Sequence, residues 1–87
     1  MKAVISVIGK DRTGIIYSVS KILYESGVNI EDISQTIMQG YFTMVMLVSI
    51  PEDISITELR NSLSPLNEQN LSIQLQKAEL FDETHHI

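Results

Sequence analysis

The chain has 87 residues, a net charge of −5 and no cysteine. That length holds one domain, and a domain so small buries only roughly 60–65% of its unfolded surface, so it gains from a partner subunit. The acidic balance argues against nucleic acid, because phosphate contacts need a basic face, and the missing cysteine removes disulfides, thiolate nucleophiles and thiolate metal sites.

The charge is uneven. Residues 1–30 carry Lys2, Lys10, Arg12 and Lys21 against Asp11 and Glu25, a balance of +2, while residues 31–87 carry two bases and nine acids, a balance of −7. Residues Met1–Ile8 are β-branched and apolar at both parities, which reads as a central strand covered on both faces. The apolar stretch is too short to span a bilayer and is followed by Gly-Lys-Asp-Arg rather than a small-residue cleavage site, so neither membrane insertion nor export is expected, and the cytoplasm is the default location.

Gly9-Lys10-Asp11-Arg12-Thr13-Gly14-Ile15 joins that strand to an amphipathic helix over about Thr13–Glu25. Ile15, Ile16, Val19, Ile22 and Leu23 form its apolar stripe. Asp11 or Thr13 can cap its start, and Gly27 is suited to a left-handed stop. Tyr17 and Tyr24 fall on the opposite side; such a pair is commonly an amphipathic surface, and otherwise a contact stripe for another chain. The helix start offers unpaired N–H groups to an anion, and Lys10 and Arg12 stand beside it.

Residues 28–39 form a second strand of mixed parity, which requires a bulge near Glu31-Asp32 or partial cover on both faces. Its polar content suits a sheet edge. Gln39-Gly40 makes a hairpin turn into Tyr41–Ile50, apolar at both parities and therefore central. Ser55-Ile56-Thr57-Glu58 is a capping box, with Ile54 and Leu59 placed as a hydrophobic staple, and Pro65 kinks the second helix or ends it one residue earlier. Leu71–Ala78 alternates as a strand with one wet face.

The order β-α-β-β-α-β, with first and third strands central, gives an α+β ferredoxin-like fold. The four-stranded antiparallel sheet has order 4-1-3-2 with both helices on one face. Residues 1–78 form the domain, and residues 79–87 a tail or short helix packing on the domain or on a partner. The helix-free face still receives apolar residues from the central strands, which calls for a partner subunit or the folded-back tail.

Strand, Gly-Lys-Asp-Arg-Thr-Gly-Ile, helix, and then Gly27-Val28-Asn29-Ile30 together resemble the ACT domain, over about residues 2–78. The likeness is greatest to small free-standing ACT proteins, some compared with the glycine-cleavage repressor. Thr13 stands where that family commonly has proline. The resemblance implies a dimeric regulatory module that binds an amino acid near a subunit interface and acts on a protein partner. It implies a site of Asp11, Arg12, Thr13, Gly14 and Ile15 with Asn29 and Ile30. The residues fit independently: helix N–H groups for a carboxylate, Gly14 for close approach, the Asn29 side-chain oxygen for an ammonium.

Other chemistry fails on spacing. Ile15 and Ile16 stand where a P-loop needs Lys and Ser/Thr. The adjacent His85 and His86 would diverge on a helix and make a poor metal pair. Glu31 and Asp32 are strand neighbours and point apart, so they form no acid/base dyad. No catalytic residue, metal or cofactor is expected. Two alternatives remain: an acylphosphatase-like enzyme on the same fold, with Arg12 on phosphate and Asn29 orienting water, and a protein–protein adaptor using the open sheet edge or the Tyr17/Tyr24 stripe.

Overall fold

The computed structural model describes residues 1–69 and 71–79, the side chains of 68 and 69 excepted. Its strands are β1 (Lys2–Gly9), β2 (Asn29–Met38), β3 (Tyr41–Ser49) and β4 (Ser72–Lys77), and its helices α1 (Arg12–Glu25) and α2 (Ile56–Leu63). A 3₁₀ segment, Ser64–Gln69, follows α2. The sheet runs β2-β3-β1-β4 with every neighbouring pair antiparallel, which is the expected order. The expected tail or short helix lies outside the described residues apart from Glu79.

Local chemistry explains the boundaries. Asp11 caps α1, its carboxylate accepting from the Gly14 N–H at 3.1 Å. At the other end Gly27 takes φ +72°. Its N–H donates to the Tyr24 carbonyl and that of Val28 to the Leu23 carbonyl, closing a Schellman motif. Gln39 and Gly40 both have positive φ, the conformation of a tight hairpin turn. Ser55 caps α2 by accepting from the Glu58 N–H at 3.0 Å. Proline at 65 bars further α-helix, and the chain tightens into the 3₁₀ segment.

The core lies between the sheet and the helices. Ala3, Ile5 and Val7 of β1 and Phe42, Met44, Met46 and Val48 of β3 meet Ile15, Val19 and Leu23 of α1 and Leu59 and Leu63 of α2. The mixed parity of β2 resolves as a bulge, a register shift between Ile30 and Asp32. With Glu31 looped out, Ile30 pairs with Val48, Ile33 with Met46 and Ile37 with Phe42. All three isoleucines therefore share the helix face of the sheet. They remain 39%, 43% and 68% exposed, because the core does not extend over β2.

Leu23 and Tyr24 are sequence neighbours, 1% and 86% exposed. Leu23→Ala is expected to cost about 2–5 kcal/mol in chemical denaturation, and Tyr24→Ala within about 0.5 kcal/mol of zero.

Candidate functional site

The sheet has two edges, and they differ. On β4 two outward groups are already engaged: Asn67 Oδ1 accepts from the Ile73 N–H at 3.0 Å, and Arg60 donates to the Leu75 carbonyl at 2.9 Å. On β2 all ten residues are exposed. Its Ile33 N–H reaches only the carboxylate of the preceding Asp32, at 2.9 Å. Such a strand presents a free row of N–H and C=O groups.

The loop after β1 reaches towards that free edge. Arg12, the first residue of α1, lies with its guanidinium 5.8 Å from the Phe42 ring centroid and donates to Gln35 Oε1 at 3.3 Å. Lys10 sits 5.2 Å from the Tyr41 ring centroid. Each exposed cation–π contact is worth about 0.5–1 kcal/mol. That is less than the roughly 2 kcal/mol of rotamer freedom in such a side chain, so it biases the cation towards the ring without fixing it. Arg12, Gln35, Thr36, Ile37 and Phe42 line an open concavity of about 350 Å³. That volume lies in the range of small-molecule sites.

The residues expected at the site have distinct places. Asp11 is the helix cap, so its carboxylate consumes the Gly14 N–H. The Ile15 N–H donates to the Asp11 carbonyl at 2.9 Å, and the Ile15 side chain is 1% exposed in the core. The N–H groups of Arg12 and Thr13 have no acceptor within the helix and are the ones left for an anion. Gly14 does not have positive φ. A Cβ there would meet Asp11 Oδ2 at 2.5 Å, so this glycine makes room for the cap. Gly9 has a packing reason too, since a Cβ would run into the side-chain carbons of Leu71 and Ile15.

Asn29 and Ile30 lie elsewhere in the subunit. Gly9 pairs with Phe42, but Asn29 pairs with Ser49. The seven strand steps between Phe42 and Ser49 span roughly 23 Å at about 3.3 Å each. One chain therefore does not bring Asn29 to Arg12, nor can the two share one phosphate as an acylphosphatase would require. Sequence reasoning overlooked Gln35, Thr36 and Phe42. Its available signal was the return of α1 across the sheet, which carries the helix start from β1 over β3 to the far half of β2.

Two other features lie apart from the loop. A concavity of about 430 Å³ occupies the helix-free face, with Val4, Val45 and Leu47 as its apolar floor and Lys2, Asp32, Ser34 and Ala78 at its rim. It is larger than the Arg12 concavity but has neither a helix start nor an arginine. Beside the bulge, Glu31 accepts from the Ser49 hydroxyl at 2.6 Å and pairs with Lys2 at 3.5 Å. The hydroxyl first, and the lysine second, hold its carboxyl below the ordinary 4.5. Among the described residues no cluster of three or more His, Asp or Glu could hold a metal, and no helix is long and apolar enough to cross a membrane.

This arrangement is a ferredoxin-like βαββαβ architecture with the loop after β1 beside the β2 edge of the sheet. The ACT domain family profile matches residues 2–76, and the chain belongs to the ACT domain family. UPF0237 protein CPE1496 of Clostridium perfringens is 47% identical over 89 residues, with both chains wholly covered. The solved structure of an ACT domain protein from Streptococcus pneumoniae superposes with TM-score 0.81 at 44% identity, covering 94% of each chain. A putative glycine cleavage system transcriptional repressor matches with TM-score 0.74 at 30% identity over 86% of this chain, which spans 44% of that longer one. ACT domains typically bind small molecules in a regulatory role.

Two outcomes follow from the cap and the bulge. Gly14→Ala gains roughly 1 kcal/mol of helix propensity and loses a cap worth about 1 kcal/mol, so the net change should be small. Asp11→Ala should cost about 1 kcal/mol in the parent and much less in the Gly14→Ala background, by urea denaturation of the double-mutant cycle. Glu31 has a depressed folded pKa. It therefore contributes stability above 4.5 that is lost as pH falls through the lower folded value. Urea midpoints of Glu31→Gln should accordingly fall less steeply than those of the parent below pH 4.5.

Proposed function

We propose that the chain is an amino-acid-sensing regulatory module that acts as a homodimer, pairing through β2, with its ligand held near the loop after β1. The observation that carries this reading is Arg12, spread over Phe42 and tied to Gln35, which opens a charged concavity at the free sheet edge. A guanidinium and the N–H groups of Arg12 and Thr13 suit a carboxylate. Family membership supports a small-molecule regulatory role.

Dimerisation follows from three features: a domain of 87 residues, an unpaired ten-residue edge, and the exposed Ile30, Ile33 and Ile37 beside it. Antiparallel pairing of two β2 strands about a two-fold axis carries Asn29 to the end of the partner's sheet where the loop lies. Asp11, Arg12, Thr13 and Gly14 of one protomer then share a ligand with Asn29 and Ile30 of the other, the asparagine oxygen meeting the ammonium. Ile15 supports this loop from the core.

A thermal-shift screen of the twenty amino acids tests the reading. A ligand at 100 times its Kd adds about 2.7 kcal/mol, a rise of roughly 10 °C or more in a domain this small. No shift with any of them contradicts amino-acid sensing. Asn29→Ala should cost about 1.5–3 kcal/mol of binding energy by calorimetry without lowering stability. In a mixed dimer, Arg12→Ala in one chain and Asn29→Ala in the other should spoil one site and leave its twin intact. Two half-damaged sites would place both residues in one protomer's pocket.

A further inference from the structure

Successive residues of a strand point to opposite faces of its sheet. Ala3, Ile5 and Val7 lie in the core, so Val4, Ser6 and Ile8 lie on the helix-free face. That face is covered unevenly. Ile8 is 45% exposed, but Val4, four residues earlier, is only 4% exposed in a single chain. Leu47, which pairs with Val4, and nearby Val45 are half-buried. Neither α1 nor α2 packs on this side, so the cover at the Val4 end comes from another part of the same chain.

The chain leaves the sheet at that end. β4 stops at Lys77, which pairs with Ala3 beside Val4. Ala78 then lines the concavity floored by Val4, Val45 and Leu47. With Glu79 it turns from strand into helix. Residues 80–87 follow. At about 100° per residue, a helix continued from Ala78 gathers Leu80, Phe81 and Ile87 within about 120° and sets Asp82, Glu83 and the two histidines on the remainder. Residues 78–87 span about 15 Å at about 1.5 Å per helical residue. Three strand spacings, from β4 to β2, come to about 14 Å at roughly 4.8 Å each. The concavity runs in that direction, from Ala78 past Val4 and Leu47 to Asp32 and Ser34 of β2.

We propose that residues 80–87 dock across the helix-free face of their own chain as an amphipathic helix, with Leu80, Phe81 and Ile87 on the apolar floor of Val4, Val45 and Leu47. The floor is apolar and the rim polar, which matches a helix with its apolar stripe inward and its charges outward. Three apolar side chains would bind weakly as a free peptide. Tethered at Ala78 on the rim, they dock at the high effective concentration of a short linker. Docking closes this face against a second copy and leaves the β2 edge for assembly. It does not rest on the edge-paired dimer proposed above.

The experiment uses tryptophan fluorescence, since the chain has no tryptophan. In the whole chain carrying Phe81→Trp, the indole should emit as a buried group at low and at high protein concentration alike. Adding Leu47→Glu on the floor should shift the emission to that of the urea-unfolded chain, while far-ultraviolet circular dichroism stays that of the parent. Val45→Glu serves in its place if Leu47→Glu does not fold. Solvent-like emission in the folded Phe81→Trp chain, or emission indifferent to the glutamate, overturns the proposal. Buried emission that is lost on dilution seats Phe81 on a second copy and overturns it too. A chain ended at Glu79 should keep the parent's circular dichroism and bind anilinonaphthalene sulfonate several-fold more strongly, through the uncovered apolar floor. No gain in dye binding would contradict the docking.

Discussion

The free side of β2 is the constraint on which the molecule turns. A strand hydrogen-bonded on one side only leaves every second N–H and C=O without a protein partner, and water satisfies them only while nothing pairs there. The opposite edge is blunted by Asn67 and Arg60. Among the described residues β2 has just one such device, the Asp32 carboxylate on the Ile33 N–H. Three isoleucines beside it remain exposed on the helix face, which is costly for a domain with so small a core.

The loop after β1 lies beside that edge. Asp11 fixes the start of α1, which places Arg12 at the first helical position. From there the guanidinium lies over Phe42 and meets Gln35, 23 residues on. Lys10 lies over Tyr41. The two cations thus lie above the start of β3. In a chain of net charge −5, this places positive charge beside the exposed β2 edge. A helix start already capped by its own carboxylate offers little to an anion, and Arg12 adds a guanidinium beside it.

Much of this was legible in the sequence because it rests on local chemistry. The strand order came from which strands are apolar at both parities. Gly27, the Ser55 cap and Pro65 marked boundaries by backbone requirements that few other residues meet. The separation of Asn29 from Arg12 within one chain follows from strand direction alone. The rest depends on packing at long range. A bulge at Glu31 and cover on both faces of β2 both suited the mixed pattern of β2, and only the register with β3 decides between them. Gly14 reads as a glycine for ligand approach, and nothing in the sequence marks that it also clears space for the Asp11 carboxylate. Arg12 and Gln35 meet because α1 crosses the sheet, and no periodicity encodes that meeting.

The chain has no native cysteine, so one introduced residue reports the pairing without background. Gln35→Cys, oxidised under mild conditions, tests the two-fold edge directly. Gln35 is the middle residue of the regular β2 run from Asp32 to Met38. Strands paired over that whole run would hold the two thiols opposite each other at a Cα separation of about 5.5 Å, inside the range a disulfide accepts. The expected result is rapid conversion to a covalent dimer, with Val45→Cys on the helix-free face remaining monomeric. Cross-linking through Val45→Cys with Gln35→Cys left monomeric would contradict it.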